Sequence, residues 1–220
     1  MINEFEKRVL SSLILIPIAI FFIIKGSFFF TFFITICFLI TLYEWHMMSK
    51  KKKYNFLGVI FLSFSFYSAY FIRNELENNN LFIFLLIISI CISTDIGGYI
   101  FGKIFKWKKL TNISPKKTIS GAIGSIFFSL ITVFLLGFIV EIISDLDKNI
   151  FFKMKYFIMA IFFSIAAQIG DLIISYLKRL EKIKDTGKLL PGHGGIFDRV
   201  DSLMFVVIFA NVLYYFKLFP

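Results

Sequence analysis

Residues 81–101 read LFIFLLIISICISTDIGGYIF, a run of twenty-one residues with a single charge, Asp95. A helix needs roughly 17 to 25 mostly apolar residues to cross a bilayer, so this run has the length and character of a span. Wound as a helix, it satisfies its own backbone hydrogen bonds; the period-two alternation of a barrel strand is missing. Six more apolar blocks accompany it, at about 9–24, 27–43, 56–72, 121–143, 154–177 and 202–219. The expected fold is therefore all-α, a polytopic transmembrane helical bundle of about seven spans.

Composition points the same way. Hydrophobic residues make up 58% of the 220, charged residues only 17%, and the mean hydropathy is +0.83. A soluble domain of this size has no interior that could bury so many apolar side chains. The first block follows Lys7 and Arg8 and lacks a small-residue cleavage site, so it reads as a retained signal-anchor. Pro17 inside it would break a helix in water but is tolerated in a membrane. The 32 phenylalanines fill lipid-facing and packing positions, and Cys37 and Cys91 read as free thiols within apolar blocks. No repeat or linker divides the chain. It is read as one integral membrane domain over 1–220, with N-terminal spans in 1–80 and the chemistry-bearing spans and loops in 81–220.

The formal charge of +10 comes from lysines scattered through short loops, never from one continuous basic face, which excludes nucleic acid as a partner. Those lysines orient the chain instead. With the N-terminus in the cytoplasm, cytoplasmic segments hold 18 Lys and Arg residues and the other side 6. The two longest polar loops, at about 102–120 and 178–201, then emerge together on the cytoplasmic face.

Four polar constellations lie at that face. Asp95, Gly98, Tyr99 and Gly102 share one helical face, where a carboxylate at membrane depth requires a reason and glycines admit a close helix or ligand. Packing around one interfacial acid is the plainer reading. Ser114-Pro115-Lys116-Lys117-Thr118 sets cations and hydroxyls before a helix N-terminus, an arrangement that suits phosphate but also an ordinary positive-inside anchor. Asp171, Ser175 and Lys178 stack at i, i+4 and i+7; they suit a metal-bound phosphate, or an internal Asp–Lys pair. In the last loop Gly192, Gly194 and Gly195 allow backbone N–H groups to approach a ligand, with His193 touching phosphate or positioning the turn. Asp198 and Asp201 follow three residues apart, and with Asp171 they offer oxygens to a hard cation.

This last stretch resembles the signature of the phosphatidate cytidylyltransferases, also called CDP-diacylglycerol synthases. The matching elements are Ser175, Lys178-Arg179, Lys184-Asp185, Pro191-Gly192-His193-Gly194-Gly195 and Asp198-Arg199-Val200-Asp201. The segments 95–103 and 114–121 look like two further motifs of that family, and the resemblance covers roughly 90–205. Family members often carry glutamate where this chain has Ser120 and Ile174. The resemblance implies transfer of a cytidylyl group from CTP to phosphatidic acid, giving CDP-diacylglycerol and pyrophosphate, with Mg²⁺ and room for a second cation. Asp171, Asp198, Lys178 and Arg199 would be catalytic. Asp171, Asp198 and Asp201 would hold metal. Asp95, Ser114, Lys116, Lys117, Thr118, Ser175, Arg179, Lys184, Asp185, Gly192, His193, Gly194 and Gly195 would bind substrate.

The implied setting is a bacterial inner membrane, multi-pass, with a cytoplasmic active site and the bilayer as partner; a homodimer is left open. Two other readings stand beside it. A membrane nucleotidyl- or phosphotransferase acting on a polyprenol or isoprenoid lipid would use the same metal and phosphate logic. A transporter would show repeated halves with paired broken helices and polar groups on both faces, and neither is visible.

Overall fold

The computed structural model describes residues 4–50, 52–76, 80–111, 114, 116–143, 153–187, 189–190, 192 and 194–218. They form seven helices: α1 (Glu4–Lys25), α2 (Ser27–Ser49), α3 (Asn55–Asn74), α4 (Asn80–Phe105), α5 (Ile119–Ile143), α6 (Met154–Leu180) and α7 (Phe197–Tyr215). The first six are long and apolar enough to cross a membrane. The fold is that of a multi-pass membrane protein, and no strand occurs among the described residues.

Several helix ends differ from the sequence reading, among them the start of α1 and the end of α4, and two of the differences shape the site. Helix α2 runs to Ser49, six residues past the expected end, because its last turns are held by packing rather than by lipid. Trp45 lies over Gly58 of α3 and donates from Nε1 to the Asn55 carbonyl at 3.0 Å. Helix α7 begins at Phe197, five residues early, so Asp198 and Asp201 belong to its first two turns. Asp198 and Asp201 can occupy those turns because Lys178 of α6 and the loop before α7 meet their oxygens.

Glycine decides the tightest contact. On α4, Gly97 faces the Gly124 carbonyl and Phe128 of α5, while a Cβ on Gly98 would come within 2.8 Å of the Ser125 hydroxyl. A Cβ on Gly121 would lie 2.8 Å from the Gly98 carbonyl. Small residues allow two backbones to approach this closely, which gains dispersion contacts where no water remains to be expelled. The glycine face of α4 thus receives a helix, one of the two occupants its sequence allows.

The interior is built of two apolar clusters. The larger runs through Ile72, Ile87, Ile90, Phe163 and Val206, all at most 1% exposed. The smaller joins Trp45, Leu62, Ile174, Phe197 and Met204 beneath the loop between α6 and α7. Ile174 is buried there, so an apolar side chain, not an acid, faces this cluster. At the opposite end of the bundle Arg73 of α3 donates to the Ile23 and Ile24 carbonyls at 2.7 and 3.0 Å, satisfying the end of α1.

Candidate active site

The C-terminal ends of α2, α4 and α6 meet the N-terminal ends of α3, α5 and α7, and the polar side chains singled out in the sequence collect there. Between α4, α5 and α6 lies a cavity of about 310 Å³, at the lower end of the range for small-molecule sites, about 300–1,000 Å³. Its walls include Asp95, Gly98, Tyr99, Lys117, Asp171 and Ser175. Ser114, Lys116 and Thr118 also line it, so three of the four expected constellations share one space.

Local structure explains how each cation and acid reaches that space. The chain after α4 folds back on itself: Lys109 pairs with Thr118, and Leu110 N–H donates to the Lys117 carbonyl at 2.8 Å. Lys117 is thereby fixed just ahead of α5. Thr118 stands before the first residue of α5, and its hydroxyl accepts from Gly121 N–H at 3.1 Å. A hydroxyl in this position satisfies one of the free donors at a helix start. Across the cavity, Lys117 Nζ sits 2.5 Å from Asp171 Oδ2, and Ser175 donates to Asp171 Oδ1 at 3.2 Å. Both partners are partly open, with side chains 26% and 31% exposed.

Deeper in the cavity the lining is polar but uncharged. Thr94 donates to Ser164 at 3.0 Å, and Ser125 donates to the Thr94 carbonyl at 2.8 Å. The Gln168 amide reaches Ser164 at 3.3 Å. None of these four was singled out as a site residue, because hydroxyls and an amide inside apolar blocks look the same whether they pair across helices or face a ligand.

The acids of the last loop are arranged differently. Lys178 turns away from the cavity toward α7 and bridges Asp198 Oδ1 at 3.0 Å and Asp201 Oδ2 at 3.4 Å. The other Asp198 oxygen accepts from Thr186 N–H at 2.8 Å and Gly195 N–H at 3.0 Å. Leu190 N–H donates to the Gly194 carbonyl at 2.9 Å, closing a turn in which Gly192 and Gly194 take φ of 76° and 85°. Side chains are strained at such angles, which accounts for glycine at both positions. Lys184 and Asp185 are exposed, and Arg179 donates to the Ile183 carbonyl at 3.0 Å. Arg199 is exposed and, with Lys117, acts electrostatically on Asp95. His193, Pro115, Lys188 and Pro191 lie outside the described residues.

Sequence reading overlooked one acid. Glu44, at the end of α2 and only 4% exposed, accepts from Ile196 N–H at 3.1 Å, Phe197 N–H at 2.9 Å and the Thr186 hydroxyl at 3.2 Å. The glycine-rich loop was expected to turn its N–H groups toward a ligand; those of Gly195, Ile196 and Phe197 are instead taken by Asp198 and Glu44. Glu44 stands just beyond the expected end of its span and was assigned no role.

A magnesium ion draws on one or two protein carboxylates, completed by phosphate oxygens and water. The cavity fits that demand, since Asp171 and Asp95 both line it. Asp201 lies near enough to both to act on them electrostatically. No three acid, histidine or cysteine side chains among the described residues form a ligand set by themselves.

Comparison with known proteins adds an independent line. The profile of the cytidylyltransferase family matches residues 6–77 and 56–217. A phosphatidate cytidylyltransferase of Staphylococcus haemolyticus (strain JCSC1435) is 37% identical over 172 residues, 74% of this chain and 62% of the relative. Proteins of the same description from Staphylococcus aureus (strain COL) and Staphylococcus epidermidis (strain ATCC 12228) are 36% and 37% identical over the same shares. The chain thus spans somewhat under two thirds of the length of the curated relatives it matches.

Proposed function

The chain belongs to the cytidylyltransferase family, and on that premise we propose that it transfers a cytidylyl group from CTP to phosphatidic acid, releasing pyrophosphate and leaving CDP-diacylglycerol in the membrane. The observation that carries this reading is the polar cavity ending at Lys117 and Asp171, set in an otherwise apolar bundle. The end of the molecule that bears it faces the cytoplasm of a bacterial cell, on the strength of the basic residues that cluster there.

The chemistry asks little covalent work of the protein. A phosphomonoester has a second pKa of about 6, so the lipid phosphate is mostly dianionic at neutral pH and already nucleophilic. The obstacle is repulsion between two polyanions, which positioned cations remove. Lys116 and Lys117 hold the triphosphate at the cavity mouth, and Arg199 adds positive charge from the α7 side. Asp171 orients Lys117 and, with Ser175, defines where the α-phosphate rests. Lys178 keeps Asp198 and Asp201 in place behind Asp171.

Magnesium, when bound, would supply further neutralisation of the phosphates; Asp171 on the cavity wall would hold it, and Asp201 and Asp198 would join it by exchanging Lys178 for the ion. The lipid phosphate enters at the level of Tyr99, where the wall of the cavity meets the exposed face of α4, so the acyl chains stay in the bilayer.

Purified protein incubated with labelled CTP, phosphatidate and magnesium should yield a CDP-lipid and pyrophosphate. Turnover with a polyprenyl phosphate and none with phosphatidate would replace the acceptor. Absence of any nucleotide-dependent product would end the reading.

A further inference from the structure

Among the described residues, Glu44 is the carboxylate of the N-terminal helices that reaches the signature loop. It has no lysine or arginine within ion-pair distance among the described residues. Its charge is met instead by two N–H groups at the start of α7 and one hydroxyl, the end of the helix dipole that favours an anion. The loop is also shaped around it. A Cβ on Gly187 would come within 2.5 Å of Glu44 Oε1, and one on Gly195 would overlap the carboxylate. The next residue, Trp45, packs its ring against Phe197 at 5.9 Å between centroids, and Phe197 is fully buried.

We infer that Glu44 is a positioning residue for the proposed reaction: it clamps Ile196 and Phe197, and through them sets where Asp198, Arg199 and Asp201 present their side chains. Gly187 and Gly195 are the space this clamp requires, a role separate from the turn made by Gly192 and Gly194. Asp198 N-terminally anchors the same loop from α7, accepting from Thr186 and Gly195, so the loop is held between two carboxylates from helices far apart in sequence. Displacement of reacting groups by about 1 Å can cost roughly 10²-fold in rate, which gives the clamp leverage on turnover without contact with substrate. The inference rests on the activity proposed above.

The test uses the full-length protein in detergent micelles or bilayer discs. Glu44→Gln retains the size of the side chain but sets an amide N–H against a backbone N–H. We expect kcat to fall at least about tenfold, KM for CTP to stay within about threefold, and the thermal midpoint to change little. Gly195→Ala should impair turnover likewise, and the double variant Glu44→Asp with Gly195→Ala should recover part of it, since the shorter acid vacates the space the methyl group needs. Hydrogen exchange offers a reading independent of activity: amides of Ile196 and Phe197 should exchange at least about tenfold faster in Glu44→Gln, with α4 and α5 unchanged. Exchange at those amides equal to wild type would overturn the clamp. A kcat loss matched by equal loss of folded protein, or no recovery in the double variant, would overturn the positioning role. A wild-type protein with no CTP turnover would instead count against the activity, with exchange still deciding the clamp.

Discussion

Helix α6 carries two contacts between a lysine and acids barely two turns apart, and they differ in kind. Asp171 faces the cavity and meets Lys117 from a loop, with both side chains about a quarter to a third exposed. Lys178 faces α7 and meets Asp198 and Asp201, with all three side chains 11% exposed or less. An open pair contributes little to stability but can exchange its partner for a ligand. A closed cluster is costly to break, since removing one member strands the others without a counter-charge. The same residue types thus stand open to a ligand on one face of α6 and are closed into a buried cluster on the other.

The comparison breaks most visibly at Asp171. Asp171→Asn should lower turnover of CTP by roughly two to three orders of magnitude, comparable to removing a main electrostatic group from an active site, while thermal stability in detergent stays within about 1 kcal/mol. Near-normal turnover would take Asp171 out of the site. Lys178→Met should do the reverse in emphasis, destabilising the protein by about 3–5 kcal/mol because two buried acids lose their cation. Lys178→Met combined with Asp198→Asn and Asp201→Asn, which leaves no unpaired charge, should recover much of that stability; a failure to recover would mean that the cluster is not held by charge.

A smaller effect sharpens the open side. Ser175→Ala removes the hydroxyl that donates to Asp171, and should cost about 0.5–1.5 kcal/mol, read as a several-fold drop in kcat. Titrating magnesium against this variant checks it: a drop that excess magnesium leaves untouched would separate Ser175 from the acid it supports.

The smallest effect lies at a third contact at this end. Glu181, just past α6, is held below the usual carboxylate range by the Tyr54 hydroxyl and then Lys52, 3.3 Å away. Tyr54 is pushed up to about 12, first by burial and then by Glu181. The lowered acid contributes stability above its unfolded pKa and loses it as pH falls through the lowered folded value. The raised phenol contributes below its ordinary value near 10 and loses it as pH rises through about 12. Thermal midpoints of Tyr54→Phe should therefore converge on wild type in acid and differ slightly between those limits. A constant difference across the acid limb would exclude this pair as its source.

Much of the molecule was legible beforehand, for a physical reason. A span must be apolar along its whole length, so α3, α5 and α6 could be bounded closely from local composition, and α1 and α4 to within about a turn or so. α7 could not, since Asp198 and Asp201 replace apolar residues in its first turns and protein replaces lipid around them. The cavity group was visible because Asp95 and Asp171 are acids at membrane depth, Ser175 shares a helical face with Asp171, and Lys117 stands before a helix N-terminus. Glu44 was not, since nothing within its own helix marks the loop it holds, 142 to 153 residues further along the chain.

Residue order alone determined the solvent of this protein, its helical class and the end at which its charges gather, because hydrophobic length and helical period act on neighbours in the chain. Only the tertiary arrangement decided which acids are committed and which stay open. Whether a carboxylate meets a lysine, a helix N-terminus or a cavity depends on distances between helices, and those are set by the glycine contact of α4 with α5 and by Phe197 seated against Trp45.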